Sequence, residues 1–354
     1  METLNNYIKY FKDIPFEESP FNDVDNVIFS TLTYLDFGNM ITKPISMKEL
    51  GKKFFNEIDY RAIKKKSIVV RRTIDNFELI FNGDRYKNII VSDYTKIVDS
   101  EKQFGAMKFK SNTFTYVAYQ GTDDSIIGWK EDFQMIYKFP VPAQKMAIDY
   151  LNKVVRFSDK NVIVGGHSKG GNLAMAASMY ARGHIKRKIT RVYNNDGPGF
   201  RKKEFNSIAY KEMLPKLRTF VPEESLIGMF LRHPKDIKVI KSSGKGLFQH
   251  NPNNWQCYGP IFIEGTLSDG SKDMDTKVLS WLNRHDDDKR KKMVDTIFDT
   301  IDKCDVKLFS QLRQIKLSRL LKMIKISKDI DQESKDLVVS ALKVLIFKDD
   351  DFID

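Results

Sequence analysis

The segment Asn161–Ala174, with the sequence NVIVGGHSKGGNLA, decides the fold expected for this chain. A β-branched run precedes the pentapeptide Gly166–Gly170, and a run of small residues follows it. A G-x-S-x-G pentapeptide between a strand and a helix is typical of a nucleophile elbow, a sharp turn that exposes a serine hydroxyl. The segment therefore predicts a strand, a turn and a helix, with Ser168 as the nucleophile at the turn.

The composition is that of a globular chain with an ample core. Its 354 residues are 41% hydrophobic and 12% aromatic, enough for one large domain or two of ordinary size. No run approaches the roughly 18 apolar residues that span a membrane. The first residues lack the pattern of a secretory signal, and only Cys257 and Cys304 are present. These features favour a cytoplasmic protein without a disulfide framework or a cysteine metal site.

The chain is basic, with a formal net charge of +12. Cations cluster at residues 64–66 with Arg71 and Arg72, and again over Lys307–Lys328. Neither cluster has the aromatic interleaving or glycine pattern of a nucleic-acid module, so no nucleic-acid partner is expected. Most of the charge is expected on a solvated surface, with peripheral contact to an anionic membrane surface as the alternative.

Helical and strand-like patterns alternate along the chain. The residues before Phe77 are predicted to be helical, with a capping box at Ser46–Glu49. Strands are expected over short β-branched or aromatic runs: Phe77–Phe81, Asn88–Val91, Thr113–Tyr119, Ile189–Asn194, Leu217–Val221 and Ile237–Lys241. A helix is expected over Ala143–Phe157. Strands that alternate with helices, with glycines at the strand ends, predict an α/β fold with a mostly parallel sheet.

The chain from residue 266 onward has a charged, helical pattern. No long linker separates it from the preceding strands, so we expect residues 1–265 to form the sheet domain and residues 266–354 to pack on that domain or be appended to it. Within Lys307–Lys328, cations recur every three residues from Arg313. At 3.6 residues per turn such positions wind around a helix, which favours a packed helix over a membrane-surface helix.

The general base is sought among five histidines. A serine hydroxyl needs a base to accept its proton, and α/β hydrolases carry serine, acid and histidine in that order. His167 lies inside the elbow, and His184 comes too soon after it. His233 precedes the last strand-like run, and His285 lies in the charged C-terminal region. His250, on the loop after that run, is therefore predicted to be the base.

Two positions compete for the acid that holds the base. Asp196 ends the strand after the elbow helix and precedes a Gly-Pro-Gly turn, which would fix its side chain. Glu223 and Glu224 end the next strand, where a helix start would favour acids in any case. Asp196 is preferred, and Glu224 remains the alternative acid.

The oxyanion hole needs two preorganised N–H donors. One is the backbone N–H of Lys169, which directly follows the proposed nucleophile. The second is expected from the loop after an earlier strand, at Thr122, where Gly121 allows close backbone approach. No metal or cofactor is expected.

Three segments resemble the class 3 (fungal-type) lipases of the α/β-hydrolase superfamily. Tyr119–Thr122 and Trp129–Asp132 are similar to that group's R-G-[ST] and W-x-x-D motifs, and the elbow matches its G-H-S-x-G. Gln120 stands where the lipases have arginine. Where their catalytic aspartate follows the later strand, this chain has Glu223–Ser225.

A set of further stretches resembles the bacterial Mbeg1-like family of the same superfamily. They lie between about residues 22 and 260: 23–27, 34–37, the elbow, Asn195–Phe200, and Gln249–Pro252 with Trp255. The resemblance implies an α/β-hydrolase fold with Ser168 as nucleophile, His250 as base, and Thr122 and Lys169 as oxyanion donors. It gives residues 266–354 no counterpart.

These observations predict a serine hydrolase that cleaves carboxylic esters through an acyl-enzyme. Lipid-like acyl esters are the expected substrates, because the resemblance is to lipases and the chain is basic. The alternatives are a thioesterase or small-ester esterase that uses the same triad, and a catalytically silent binding protein that keeps the fold. The acyl chain, leaving group and oligomeric state are not encoded in any motif of the sequence.

Overall fold

The computed structural model describes residues 2–64, 66–303, 308 and 317–345, of which residues 317–321 and 342–345 are described by their backbone alone. The strands are β1 Glu2–Thr3, β2 Ile45–Ser46, β3 Ile90–Val98, β4 Gln103–Lys110, β5 Thr115–Tyr119, β6 Val162–His167, β7 Ile189–Asn195, β8 Leu217–Pro222, β9 Lys238–Ile240, β10 Gln256–Tyr258 and β11 Ile261–Phe262. The helices of the first part of the chain are α1 Leu4–Phe11, α2 Asp23–Leu32, α3 Met47–Glu57, α4 Tyr60–Ile63, α5 Ile68–Ile80, α6 Ile126–Gln134, α7 Pro142–Val154, α8 Lys169–Tyr180, α9 Gly183–Lys186, α10 Lys202–Phe205 and α11 Ile208–Met213. The C-terminal helices are α12 Asp269–Arg284, α13 Asp287–Asp302, α14 Leu317–Ile326 and α15 Gln332–Leu345.

The central sheet contains strands β2 to β9 in chain order. Strands β2 to β5 pair antiparallel, whereas β5 to β9 pair parallel. Helices α7, α8 and α11 connect parallel neighbours and share one apolar cluster, so they lie on the same face of the sheet, as crossovers of one handedness require. The predicted α/β architecture, a mostly parallel sheet flanked by helices, is confirmed.

The two faces of the sheet follow from the alternation of side chains along each strand. On β5, Tyr116 and Ala118 pack in one apolar cluster with the N-terminal helices. Val117 and Tyr119 point the other way and pack with α7 and α8. Because both faces are covered by helices, the central strands β5 and β6 are buried at every position, as parallel strands usually are.

The predicted strand at Phe77–Phe81 is wrong, because Phe77 lies in α5. Ser67 caps this helix by accepting a hydrogen bond from the N–H of Val70. Ile74, Phe77 and Ile80 are buried, at the three-residue spacing of one helix face. A five-residue apolar run does not by itself distinguish a strand from a buried helix segment. The capping box at Ser46 is confirmed at the start of α3.

The C-terminal helices pack against two segments that follow strands of the sheet. Their apolar side chains form a cluster with α6 and with residues around Leu231. Members from the C-terminal helices are Met274, Val278, Trp281, Leu282, Met293, Val294, Ile297, Phe298, Ile301, Ile324, Leu337, Val338 and Ala341. In addition, Leu308 forms an isolated antiparallel bridge with Ser125, just before α6. The helices therefore contact the end of the sheet at which β5 and β8 finish.

Part of the predicted basic helix lies outside the described residues. Residues 307 and 309–316 of that segment are not described, whereas Leu317–Ile326 is helical. Lys65 and Cys304 also lie outside the described residues. Among the described helices, none is long and apolar enough to cross a membrane.

Candidate active site

Ser168 occupies a sharp turn between β6 and α8. Its backbone has φ 57° and ψ −133°, a conformation that strains any residue other than glycine. A Cβ at Gly166 would collide with the backbone of Gly170, and a Cβ at Gly170 would collide with the carbonyl oxygen of Tyr119. Both glycines are thus required by close backbone approach, and the turn has the geometry expected of a nucleophile elbow.

His250 and Asp196 are brought together from two loops at the same end of the sheet. His250 Nδ1 lies 2.6 Å from Asp196 Oδ2. The other carboxylate oxygen of Asp196 accepts hydrogen bonds from Ser225 Oγ at 2.5 Å and from the N–H of Gly228 at 3.1 Å. Asp196 is fully buried, whereas 29% of the His250 side chain is exposed. The carboxylate therefore keeps the proton on Nδ1 and leaves Nε2 as an acceptor.

Glu224 forms no hydrogen bond or ion pair with the imidazole of His250. Its carboxylate accepts hydrogen bonds from the N–H of Gly246 at 2.5 Å and from the amide of Gln249 at 2.8 Å. The N–H of Glu224 in turn donates to Gln249 Oε1 at 3.0 Å. Glu224 thus stabilises the turn Gly246–His250, which carries the histidine. Of the two acids that sequence analysis left open, the structure pairs Asp196 with His250.

No hydrogen bond joins the side chains of Ser168 and His250, both of which the structure describes. The ring of His167, the residue before Ser168, lies 4.5 Å from the ring of His250, centroid to centroid. His167 Nε2 is 2.8 Å from the carbonyl oxygen of His250. Hydrogen bonds between catalytic groups are often long in ligand-free enzymes and shorten when substrate binds.

The loop after β5 lies directly beside Ser168. A Cβ on Gly121 would lie 3.0 Å from Ser168 Cβ, so glycine permits this approach. No hydrogen-bond partner of the Thr122 N–H lies among the described residues. The N–H of Lys169 is the first of α8, and the first N–H groups of a helix have no partner within it. Neither N–H thus has a partner among the described residues, as an oxyanion donor requires.

The hydroxyl of Thr122 is not available as an additional donor toward substrate, because it donates to Asp132 Oδ2. The Asp132 side chain is half-buried with its Oδ1 shielded from solvent, and this desolvation raises the pKa of its carboxyl to about 6, although the charge of Lys169 and the Thr122 hydrogen bond act in the opposite direction. Asp132 thus fixes the loop that presents the Thr122 N–H.

The side chain of Lys169 forms a fully buried ion pair with Glu131. The Nζ atom lies 3.1 Å from Glu131 Oε2 and donates to the carbonyl oxygen of Gln103 at 2.9 Å. Glu131 Oε1 accepts a 2.6 Å hydrogen bond from the N–H of Ala143. Glu131 and Asp132 come from the motif that resembles W-x-x-D, and they connect α6 to the elbow and to the oxyanion loop. The motif is recognisable in the sequence, but nothing in the sequence assigns its acids a role.

Tyr34 and His167 form a second support that sequence analysis missed. Tyr34 Oη lies 2.8 Å from His167 Nδ1. Because the His250 carbonyl can only accept, His167 carries its proton on Nε2, and its Nδ1 accepts from the Tyr34 hydroxyl. Burial holds the pKa of His167 well below its usual 6.5, so the ring stays neutral. His167 therefore positions the turn that carries His250, and no local sequence motif links His167 to Tyr34.

Metal chemistry has no evident site in the described part of the chain. No three side chains of histidine, cysteine, aspartate or glutamate converge there as metal ligands would. The site consists of a serine on an elbow, a histidine paired with a buried aspartate, and two N–H donors.

A strained serine elbow at the end of a parallel strand, on a sheet covered by helices, defines the α/β-hydrolase class. The chain belongs to the Mbeg1-like family, whose family model matches residues 80–299, more than half of the chain. The matched segment extends beyond residue 265 and includes α12 and most of α13.

The chain was also compared with curated proteins and with solved structures. No curated protein matches the chain. Among solved structures, it is similar to one described as the crystal structure of M37 lipase, at 13% identity and a TM-score of 0.33, over 57% of this chain and 67% of that chain. An alignment at this score is too loose to support an argument about activity.

Proposed function

We propose that this protein is a serine hydrolase that cleaves carboxylic esters through an acyl-enzyme. The proposal depends on one observation above all: the 2.6 Å contact between His250 Nδ1 and a buried Asp196, next to a serine on a strained elbow. A histidine held in this way can accept a hydroxyl proton at Nε2. Nothing in a purely structural elbow requires such a histidine.

The chemistry follows from these contacts. Ser168 Oγ attacks the ester carbonyl carbon while His250 Nε2 takes its proton, and the carbonyl oxygen becomes an oxyanion. The N–H groups of Thr122 and Lys169 stabilise that charge. When the carbon–oxygen bond breaks, the imidazolium gives its proton to the leaving alcohol, and an ester on Ser168 remains. Water, deprotonated by His250, then releases the acid and restores the serine.

Lipid-like acyl esters are the proposed substrates, with thioesters and small esters as alternatives on the same triad. A silent binding protein is the second candidate, favoured by the missing hydrogen bond between Ser168 and His250. We also propose a cytoplasmic location, on the ground that the chain contains only two cysteines, of which Cys257 is free and buried.

Hydrolysis of a graded acyl series tests this proposal. Nitrophenyl esters of increasing acyl length, and matching acyl thioesters, are offered to the wild type, Ser168→Ala and His250→Ala. Ser178→Ala is the control, because Ser178 lies on α8 and donates only to the carbonyl oxygen of Ala174. We expect turnover by the wild type and the control, and none above background by the other two. Equal rates for all four proteins, or no turnover by the folded wild type, would favour the silent binding protein.

A further inference from the structure

The turn that carries His250 exposes two neighbouring apolar side chains. Leu247 is 53% exposed and Phe248 is 63% exposed. The same turn is anchored to the protein interior, because Gln249 is buried and its carbonyl oxygen accepts a 2.9 Å hydrogen bond from the indole of Trp255. Since the turn is anchored on one side, it presents Leu247 and Phe248 to the outside. Large apolar residues that are exposed together mark a contact surface more often than isolated ones do.

Cations flank these two side chains. Arg72 donates to Asn254 Oδ1 at 2.5 Å, and the amide of Asn254 donates to the carbonyl oxygen of Phe248 at 2.8 Å. Lys245 begins the same turn, and its carbonyl oxygen accepts from the N–H of Phe248. Ile68, one helical turn before Arg72, is 38% exposed. Within the described residues neither cation forms an ion pair, and the nearby acid Glu224 already accepts two hydrogen bonds from the turn.

This arrangement fits an anionic lipid surface better than a nucleic acid. Exposed apolar side chains can enter the boundary between headgroups and acyl chains, while Arg72 and Lys245 meet lipid phosphates. The net charge of +12 adds long-range attraction to the same partner. Bases stacked along a nucleic acid would need a series of aromatic side chains, and this surface offers Phe248 alone.

We propose that Ile68, Arg72, Lys245, Leu247 and Phe248, here called the base-loop surface, dock the protein on an anionic lipid bilayer. Because His250 ends the same turn, docking would bring the catalytic base to the bilayer. This inference rests on the proposed function, because docking would serve to bring the hydrolase to a lipid substrate. It adds the partner, an anionic bilayer, and the direction from which the substrate arrives. Docking itself requires no turnover.

Co-sedimentation with vesicles tests the proposal. The vesicles are pure phosphatidylcholine, or phosphatidylcholine mixed with phosphatidylglycerol, at low and high salt. The variants are Phe248→Asp and the pair Arg72→Gln with Lys245→Gln, each checked for wild-type thermal unfolding. The matched control is Phe157→Asp: Phe157 is 98% exposed and lies next to a cation, Lys188, but it precedes β6 and so lies at the end of the sheet opposite Ser168.

We expect salt-sensitive binding to the anionic vesicles alone. The double variant should bind about 25-fold more weakly, since each cation near the surface contributes about five-fold. Phe248→Asp should lose binding, whereas Phe157→Asp and Ser168→Ala should keep it. The proposal is overturned if the wild type does not bind, if Phe157→Asp weakens binding as much as Phe248→Asp, or if single-stranded RNA displaces the vesicles. Because Ser168→Ala separates docking from turnover, a failure of the hydrolase proposal is recognised independently.

Discussion

The substitution Asp196→Asn is predicted to inactivate the site by reversing the tautomer of His250. Asp196 Oδ1 accepts from the N–H of Gly228 at 3.1 Å and from Ser225 Oγ at 2.5 Å, and Oδ2 faces His250 Nδ1. The Ser225 hydroxyl can rotate and accept, but the N–H of Gly228 can only donate. The asparagine oxygen must therefore face Gly228, and its NH₂ group must face His250.

An NH₂ group at this place requires Nδ1 of His250 to be an acceptor, which puts the ring proton on Nε2. That nitrogen can then no longer take the proton of Ser168. A substitution of this kind lowers kcat by about 10⁴-fold in serine hydrolases with the same arrangement, equivalent to about 5.5 kcal/mol of barrier. Stability should change little, because the side chain keeps its size and most of its hydrogen bonds.

The assay is kcat for a short-chain nitrophenyl ester, together with nitrogen NMR of the His250 ring to observe the tautomer. The matched control is Glu224→Gln, whose amide can still accept from the N–H of Gly246; Glu224 forms no hydrogen bond or ion pair with the imidazole. A loss of less than about ten-fold in Asp196→Asn, or about 1.4 kcal/mol, would refute the assignment of the acid. A large loss in Glu224→Gln with an active Asp196→Asn would transfer that role to Glu224.

Three further substitutions test the supports of the site. Lys169→Met leaves Glu131 buried without its countercharge and should lower the free energy of unfolding in urea by about 3–5 kcal/mol, with recovery when Glu131→Leu is added. In the wild type, His167 resists protonation when folded, so stability should fall by about 1.4 kcal/mol per pH unit below pH 6.5, and His167→Gln should flatten this decline. The pH dependence that Asp132 contributes has the opposite sign. Its carboxyl pKa is about 6 in the folded protein and 3.8 otherwise, so the folded protein binds this proton more tightly and loses up to about 3 kcal/mol of stability as pH rises from 4 to 6. Asp132→Asn should remove this loss. Unfolding curves against pH that are the same in wild type and variant would contradict either statement.

The elbow was predictable from sequence because its determinants are local. The backbone of Ser168 is strained, and the close approach at Gly166 and Gly170 excludes side chains, so three positions within five residues carry the signal. Four of the five histidines follow Ser168, so His250 was predicted from chain order together with its position on the loop after the last strand-like run. For the serine and for the histidine, a few sequence positions limit which residue can take the role.

The choice between Asp196 and Glu224 needed the structure. Both follow strands that end at the same edge of the sheet, and no sequence pattern measures which carboxylate reaches the imidazole. The support from Tyr34 to His167 was beyond sequence reasoning, since 133 positions separate the two residues. The wrong strand at Phe77–Phe81 has a local cause, because a short apolar run fits both a strand and one face of a helix.

The pairing of strand β1 with strand β10 could not be predicted from the sequence either. Strand β1 pairs antiparallel with β10, joining Glu2 to Cys257 and Thr3 to Gln256. These strands are two and three residues long, too short to show an alternating pattern. The pairing lies a few residues after His250 and helps to fix the loop that carries this histidine.

The most direct test of the central claim is labelling with a fluorophosphonate, which reacts with serines activated by a neighbouring base. The folded protein is treated with the probe, digested, and the modified peptide is identified by mass spectrometry. The account predicts one adduct, on Ser168, absent from Ser168→Ala and strongly slowed in His250→Ala and Asp196→Asn. A folded wild-type protein without an adduct, or with its adduct on another residue, would contradict the account.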